Sequence, residues 1–408
     1  MTPRLAGAAG LLAALALATP ATAQLAVRAD TLYTMAGPPI IGGVVLVGHD
    51  GRIKEVGPAN RVRIPRGMKT LSARIVTPGL VDAHTVVGLA GALNYNHDQD
   101  QLETSNPIQP ELRAMDAYDA RERLVDWVRT FGVTTMHTGH GPGALMSGQT
   151  MVVKTRGVSV REALVDSATM VAMTLGPSVE DNFRGKSPGT RAKSMAMLRE
   201  VFFKAQDYAR KRALADSTKW PARDLQLEAV AAVLDGRLPA LITAQQMTDI
   251  QDALRLQREF GFRMVLDGAA ESYMLLEEIK AAGIPVIIHP SMIRNTGDAQ
   301  SASLETAATL VHAGIPVALQ SGYEGYVPKT RVILFEAAVA AANGLTREEA
   351  LATITSSAAK VIGQDGRVGS LEPGKDGDLV LFDGDPFEYT SHVCTVVIEG
   401  QVVSEGCH

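Results

Sequence analysis

The middle of the chain repeats one pattern, in which an amphipathic stretch ends at a glycine and a short apolar run follows at once. The glycines are Gly132, Gly261, Gly283 and Gly314. Glycine at this place is typical of a helix C-terminus, and a nearly continuous apolar run is typical of a parallel strand buried on both faces. Helices that alternate with such strands predict an α/β fold with a parallel sheet.

The strands predicted in this region are 133–137, 238–243, 263–267, 284–289 and 315–320. The number of repeats between residues 76 and 362 predicts a (β/α)8 TIM barrel, in which the residues that carry the chemistry stand at the carboxyl ends of the strands. A doubly wound open sheet is the alternative, but no Gly-x-Gly-x-x-Gly follows a predicted strand to support nucleotide binding. A glycine-rich excursion at 139–157 either shapes a pocket or forms a hairpin over the barrel.

Both ends of the chain are rich in short Val and Ile runs, whereas the middle is not. A turn at 49–51 between apolar runs predicts a β-hairpin near the N-terminus, and a similar hairpin is expected around Glu399-Gly400. We therefore predict one small β-sandwich built from residues 24–75 together with 363–408. The barrel then occupies 76–362.

Residues 1–23 have the features of a secretory signal peptide, which are a basic residue at Arg4, an apolar stretch from Leu5 to Ala18, and the small-residue sequence Ala21-Thr22-Ala23. A membrane anchor is the alternative, but the apolar stretch is shorter than the ~20 residues that a bilayer span requires. We predict cleavage before Gln24, export to the periplasm or the medium, and no membrane span afterwards. In an oxidising compartment the two cysteines, Cys394 and Cys407, form either a disulfide or two free thiols.

The chain of 408 residues has a formal net charge of -5, and no run of Lys and Arg stands out in it. A nucleic-acid partner therefore has no electrostatic support. The expected partner is a small molecule or a short peptide, with an oligomer or an active paralogue as a further partner.

Polar residues at predicted strand ends are the candidates for chemistry, since such side chains face the mouth of a barrel. The catalytic candidates are His84, Asp267 and Glu324. The substrate-binding candidates are His137, His140, Gln320 and Tyr323. The metal-ligand candidates are His84, Lys154 and His289. Imidazoles and carboxylates around one mouth can hold at most one divalent metal such as zinc, whose bound water becomes a nucleophile near neutral pH; a metal-free acid–base pair is the alternative.

Three segments carry a family resemblance: 75–86 (IVTPGLVDAHTV), 353–363 (TITSSAAKVIG) and 369–381 (GSLEPGKDGDLVL). Together they resemble amidohydrolases of the imidazolonepropionase-like group, in which they form the first barrel strand and the return to the small β-sandwich. The resemblance covers nearly all of the predicted mature chain. It implies a metal-dependent hydrolase of C–N bonds in cyclic or linear amides, with the metal in the barrel mouth.

Most of the ligand positions that the resemblance implies carry no ligand in this sequence. His84 matches the first histidine of the family's His-x-His, but Val86 stands in the place of the second. Thr243 and Gln245 stand where the fifth strand has a histidine. Gly268, beside Asp267, replaces the histidine of the sixth strand, and Gly322 replaces the aspartate of the eighth. The bridging lysine is either Lys154 or, in a second alignment, is replaced by Ala172.

Two functions follow as hypotheses. The first is a hydrolase of C–N bonds with an eroded or relocated metal site, or with an acid–base pair such as His84 with Asp267 or Glu324. The second is a catalytically silent, ligand-binding barrel that partners an active paralogue. Convergence of His84, His137 and His289 within coordination distance would favour the first hypothesis, and divergence of these side chains would favour the second.

Overall fold

The computed structural model describes residues 23–93, 95–293, 295–323, 330 and 332–408. Except for Ala23, the predicted signal segment lies outside the described residues, as does the catalytic candidate Glu324. The strands are β1 (Ala23–Leu32), β2 (Ile40–Gly48), β3 (Ile53–Pro58), β4 (Lys69–Pro78), β5 (Leu80–Thr85), β6 (Val133–Thr138), β7 (Gly148–Gln149), β8 (Met151–Lys154), β9 (Leu164–Asp166), β10 (Val171–Thr174), β11 (Ala240–Ala244), β12 (Met264–Gly268), β13 (Val286–Ile288), β14 (Val317–Leu319), β15 (Leu379–Phe382), β16 (Val393–Ile398) and β17 (Gln401–Glu405).

The α-helices of the described residues are α1 (Arg123–Thr130), α2 (Val160–Ala163), α3 (Pro177–Asn182), α4 (Arg191–Arg212), α5 (Leu225–Leu234), α6 (Met247–Phe260), α7 (Leu276–Ala282), α8 (Thr306–His312), α9 (Ile333–Ala342), α10 (Arg347–Thr353) and α11 (Ser356–Val361). The glycines that the sequence indicates as helix ends behave as expected at α6 and α7. Gly261 and Gly283 are left-handed C-caps, with φ of 72° and 65°. None of these helices combines the length and the apolar composition needed to cross a membrane.

The barrel has seven parallel strands, β5, β6 and β10 to β14, and one antiparallel component. The segment 148–154, which contains β7 and β8, lies between β6 and β10 and runs antiparallel to both. A parallel bridge between Thr85 and Gly322 joins β14 to β5 and closes the ring. The glycine-rich excursion therefore supplies part of the barrel wall itself, which neither sequence alternative anticipated.

Both ends of the chain contribute to one seven-stranded sheet, in the order β17-β16-β15-β4-β1-β2-β3. The junction between the ends is the antiparallel pairing of β15 with β4, in which Leu379 faces Pro78 and Phe382 faces Ile75. The chain thus has the predicted architecture of an α/β barrel with a small β-domain assembled from both termini. Within that β-domain, Cys394 and Cys407 form a disulfide, which is one of the two alternatives left open by the sequence.

The interior of the barrel is apolar below its mouth. Its buried residues, taken from successive strands, are Val81, Val152, Leu241, Val265, Ile287 and Ala318. Because side chains alternate along a strand, the residue two positions further along faces the same interior. On β11 and β12 and just after β13 and β14, this next layer is polar and consists of Thr243, Asp267, His289 and Gln320. The polar layer forms the floor of the candidate site.

Candidate functional site

A small cavity lies above this polar layer, at the carboxyl ends of the barrel strands. Its volume is about 50 Å³, which is enough space for a few water-sized groups. The lining residues are His84, Thr85, Val86, Pro142, Thr243, Gln245, Asp267, Gly268, His289, Pro290, Ile293, Gln320, Gly322 and Tyr323. The structure therefore brings together most of the residues that the sequence indicates, although these residues are far apart along the chain.

The best organised group in the cavity is the pair of His84 and Asp267. His84 Nδ1 lies 3.0 Å from Asp267 Oδ1, and both side chains are buried. Gln320 Nε2 donates to Asp267 Oδ1 at 2.9 Å, and the Thr243 hydroxyl donates to Oδ2 at 2.5 Å. Both carboxylate oxygens of Asp267 thus accept hydrogen bonds, and Asp267 in turn fixes the orientation of the His84 ring.

Burial and charge act in opposite directions on this pair. Burial alone would lower the pKa of His84, but the charge of Asp267 and its hydrogen bond outweigh burial and hold that pKa above its usual value. Burial would raise the pKa of Asp267, but the charge and hydrogen bond of His84 hold it below its usual value. The other ring nitrogen, His84 Nε2, is buried and has no hydrogen-bond partner among the described residues.

His289 is the second cavity-lining imidazole with an unpartnered nitrogen. Its Nδ1 donates to the carbonyl of Pro290 at 2.8 Å, while its Nε2 is buried without a partner among the described residues. Burial lowers the pKa of His289, so the ring is neutral near pH 7. His289 Nε2 therefore presents a lone pair, which can accept a hydrogen bond from a ligand.

The two remaining histidine candidates, His137 and His140, do not line the cavity. His137 Nδ1 donates to the Ala83 carbonyl at 2.7 Å, and its Nε2 is 2.6 Å from the Thr150 hydroxyl. Both nitrogens are used within the fold, which corrects the prediction that His137 binds substrate. His140 is buried with both ring nitrogens unpartnered in the described part of the chain, and burial lowers its pKa to about 4.

Lys154 also lies away from the cavity. It is 1% exposed, and its ammonium group forms ion pairs with Asp376, at 3.0 Å, and with Asp378. These carboxylates belong to the segment that leads into β15, so Lys154 connects the barrel wall to the terminal sheet. This placement corrects its prediction as a metal ligand.

One network at the site has no counterpart in the sequence analysis. Asp82 is fully buried and accepts hydrogen bonds from the backbone N–H of Ser321, at 3.0 Å, and from the Ser321 hydroxyl. The Thr330 hydroxyl donates to the Ser321 hydroxyl at 2.7 Å. Burial raises the pKa of Asp82 to about 6, against the opposing effect of these hydrogen bonds. A serine and a threonine of this kind carry no signal in a single sequence.

The donor atoms that the structure describes at the mouth do not fit a metal centre with three or four protein ligands. Within the described ranges, the only three His, Cys, Asp or Glu ligand atoms that lie within 4.8 Å of one another belong to Asp383, Cys394 and Cys407. The two cysteines are joined in a disulfide, so they offer no thiolate. Among the described residues at the barrel mouth, the two unpartnered imidazole nitrogens of His84 and His289 fall short of the usual minimum of three protein ligands for zinc.

Comparisons with known proteins agree with this architecture. Residues 205–404 match the model of the amidohydrolase family. An amidohydrolase from Thermotoga maritima MSB8, of known structure, superposes with a TM-score of 0.88 at 28% identity, over 93% of this chain and 100% of its own. The chain belongs to the amidohydrolase superfamily, in its imidazolonepropionase-like group.

Curated relatives point to the same group. An imidazolonepropionase from Solibacter usitatus is 24% identical over 400 residues, which cover 87% of this chain and 91% of the relative. An imidazolonepropionase from Maricaulis maris is 26% identical over 374 residues, which cover 85% and 89% respectively. These matches confirm the recognition and the fold class made from the sequence, and they make the chain a member of a hydrolase family.

Proposed function

We propose that this amidohydrolase is an exported enzyme that cleaves a C–N bond of a small amide or dipeptide without the metal centre typical of its family. The observation that carries the proposal is the hydrogen bonding of the two ring nitrogens of His84. Its Nδ1 is held by Asp267, and its Nε2, at the wall of the cavity, has no hydrogen-bond partner among the described residues. An imidazole oriented by a carboxylate, with the opposite nitrogen free, is suited to general acid–base catalysis.

The hydrogen bonds assign the proton on His84. Asp267 accepts from Nδ1–H, so the neutral ring carries its lone pair on Nε2. Nε2 removes a proton from water while the water oxygen bonds to the amide carbonyl carbon. The same proton then passes from Nε2 to the leaving nitrogen as the C–N bond breaks, so His84 ends the cycle neutral. Asp267 positions the ring and stabilises the imidazolium that forms between the two steps.

The substrate class follows from the second imidazole. Because His289 Nε2 is a neutral acceptor at the cavity wall, it is suited to an N–H group of the substrate. A primary or secondary amide offers such an N–H beside its carbonyl group. The small volume of the cavity supports a substrate whose reacting part is compact.

Export is supported by the sequence of residues 1–23, which have the features of a signal peptide. The disulfide between Cys394 and Cys407 also fits an oxidising compartment. β1 begins at Ala23, so cleavage before Gln24 removes one residue of that strand and leaves the pairing from Leu25 onward intact.

The proposal is tested with mature protein that begins at Gln24. Elemental analysis is expected to find much less than one equivalent of zinc or another divalent metal per chain. A library of amides and dipeptides, assayed for released amine, is expected to contain substrates whose turnover survives a chelator. His84→Ala should abolish that turnover, whereas His49→Ala, at an exposed turn, should leave it unchanged. A stoichiometric, tightly bound metal, or full activity in His84→Ala, would refute the mechanism.

A ligand-binding barrel without catalysis is the second candidate, and the placement of the histidines favours it. His137 is engaged on both nitrogens within the fold, so the three-histidine convergence of His84, His137 and His289 that would favour a metal hydrolase does not form. Saturable binding of amides with no released amine across the library would support this candidate over the hydrolase.

A further inference from the structure

Gln245 is fixed in one orientation at the cavity wall. Its side-chain carbonyl Oε1 accepts a hydrogen bond from the backbone N–H of Ala270 at 3.1 Å. The amide is thereby oriented, and its Nε2 is left as a hydrogen-bond donor. No described residue accepts from this Nε2 within hydrogen-bond distance, and Gln245 lines the cavity.

The Gln245 amide lies in space that a side chain at position 268 would require. Gly268 has a φ of +76°, a conformation that favours glycine, and a Cβ built on it would be 2.6 Å from Gln245 Nε2. Gly268 is the residue at which the family resemblance implies a histidine. Gln245 therefore fills the place of that side chain, and a histidine at 268 would both strain the backbone and displace the amide.

Gly322, at the position where the resemblance implies an aspartate, is constrained in the same way. Its φ is +68°, and a Cβ there would be 2.6 Å from Pro290 Cγ. The ends of β12 and β14, on either side of β13, thus both have a left-handed glycine with a neighbouring side chain in the space that a Cβ would take. The mouth is a reorganised site, and two substitutions back to ligand residues would not restore a metal centre.

Tyr323, next to Gly322, supplies a second hydrogen-bond donor. Its hydroxyl oxygen accepts a hydrogen bond from Gln101 Nε2 at 3.0 Å, which fixes the position of the oxygen. No residue in the described part of the chain accepts the proton of the Tyr323 hydroxyl. Among the described lining residues, Gln245 Nε2–H and Tyr323 O–H are thus side-chain donors without an acceptor, beside the unpartnered nitrogens of His84 and His289.

We propose that Gln245 and Tyr323 bind the carbonyl oxygen of the substrate and stabilise the negative charge that develops on it, so that they polarise the carbonyl in place of a metal ion. This assignment rests on the proposed hydrolase function. When the water oxygen bonds to the carbonyl carbon, the π electron pair moves to the carbonyl oxygen, and His84 Nε2 takes the proton of the water. The pair returns as the C–N bond breaks, and the proton passes to the nitrogen, giving a carboxylic acid and an amine. Donors fixed before the reaction are the effective kind for this charge.

The test removes each donor with minimal change in shape. Gln245→Glu keeps the acceptor for the Ala270 N–H but replaces the donating NH2 by an oxygen, and Tyr323→Phe removes only the hydroxyl. Each variant should lower kcat on the best library substrate by about 10²- to 10³-fold, the usual effect of losing one such donor, with KM changed by less than about threefold. The phosphonate analogue of that substrate, which resembles the tetrahedral species, should lose affinity in parallel with kcat.

Two controls match these changes outside the cavity. Gln246→Glu makes the same substitution at the adjacent residue, whose side chain contacts Arg191 instead, and Tyr389→Phe removes a fully exposed hydroxyl. Both should keep kcat and the affinity for the phosphonate unchanged. Thermal unfolding checks that the variants fold, and if Gln245→Glu does not fold, Tyr323→Phe decides alone.

The outcomes separate this assignment from the function on which it rests. Wild-type turnover that persists undiminished in the donor variants would overturn the assignment and leave the hydrolase intact. A loss confined to KM, or equal losses for substrate and phosphonate binding, would also overturn it, since the donors would then act only in ground-state binding. No turnover by the wild-type protein across the library would overturn the hydrolase and the assignment together.

Discussion

Asp267 accepts hydrogen bonds from three side chains, and its oxygens differ in their partners. His84 and Gln320 donate to Oδ1, whereas Thr243 donates to Oδ2. An asparagine can replace Asp267 with its amide oxygen at the Oδ1 position, because the Thr243 hydroxyl can rotate to accept from the amide NH2. Asp267→Asn therefore removes the charge while keeping the tautomer and orientation of His84.

The charge change should appear in the pH dependence of catalysis. His84 must be neutral to accept a proton, so kcat/KM of the wild type should rise with pH and reach half of its maximum above pH ~6.5, the ordinary pKa of histidine. In Asp267→Asn, burial is opposed by the more weakly acting Asp82 but no longer by the charge of Asp267, so the pKa of His84 falls and the acid limb moves to lower pH. A weaker base also lowers the plateau, by roughly 10- to 100-fold.

The same shift is measurable without a substrate. NMR titration of ¹⁵N-labelled histidines should place the pKa of His84 above the ordinary value in the wild type and lower in Asp267→Asn than in the wild type. His140, whose pKa burial alone lowers to about 4, provides an internal reference that should titrate alike in both proteins. An acid limb and a His84 titration that are the same in both proteins would show that Asp267 does not control this imidazole.

At the scale of the elements, the sequence predicts the strands well because each pattern is local. The repeat of helix, glycine and apolar run locates β12 at Met264–Gly268, within one residue at each end of the predicted 263–267. The polar layer is also predictable in part, since Asp267 and His289 follow buried runs at strand ends. Relations between distant segments are not predictable in this way, and neither the antiparallel wall segment 148–154 nor the Gln245 amide above Gly268 has a local signal.

Lys154 also shows that contacts between distant segments cannot be predicted from a local sequence pattern. From the sequence it is a lysine at the end of an apolar strand, which fits a metal ligand or an exposed cation. Its actual partners, Asp376 and Asp378, are more than 200 residues away along the chain, and they come close only because β15 pairs with β4. Burial then makes the ion pairs a link between two parts of the fold.

Removal of that lysine should therefore affect stability and leave catalysis unchanged. Lys154→Met leaves two buried carboxylates without their shared cation, which is expected to cost about 3–5 kcal/mol in the free energy of unfolding by urea. Arg52 and Arg367 also form ion pairs with Asp376, so the loss of the Lys154 ammonium group affects Asp378 more than Asp376. Turnover per folded molecule should not change, because Lys154 is absent from the cavity lining.

A second substitution distinguishes an unpaired charge from lost packing. Lys154→Met combined with Asp378→Asn removes the carboxylate along with the cation and should recover a large part of the lost stability. Lys375→Met, at a lysine paired with Glu372 near the surface, is the matched control and should cost less than about 1 kcal/mol. Equal losses in Lys154→Met and in the double variant would assign the effect to packing.

At the scale of the whole molecule, the two ends of the chain are interdependent with the barrel. β15 pairs with β4, and β16 and β17 complete the sheet beyond it. Val396 and Ile398 of β16 are fully buried in the same apolar cluster as residues of the barrel strands and their surrounding helices. Fraying of the C-terminal hairpin would therefore expose part of the main core, and the chain should unfold as one cooperative unit.

The disulfide covalently links the two sides of this C-terminal hairpin. It joins Cys394 in β16 to Cys407 after β17, across a sequence separation of 13, and backbone hydrogen bonds already close the same hairpin from Gly406 to Cys394 and from His408 to Val393. A closed loop of this length contributes at most about 3 kcal/mol through the entropy of the unfolded chain.

We expect Cys394→Ala with Cys407→Ala to lower the free energy of unfolding by about 1–3 kcal/mol. The transition should stay single, with kcat/KM unaltered. A dithiol reductant should shift the wild type to the same midpoint and leave the double variant where it is; two separate transitions in the double variant would mean that the terminal sheet and the barrel unfold independently.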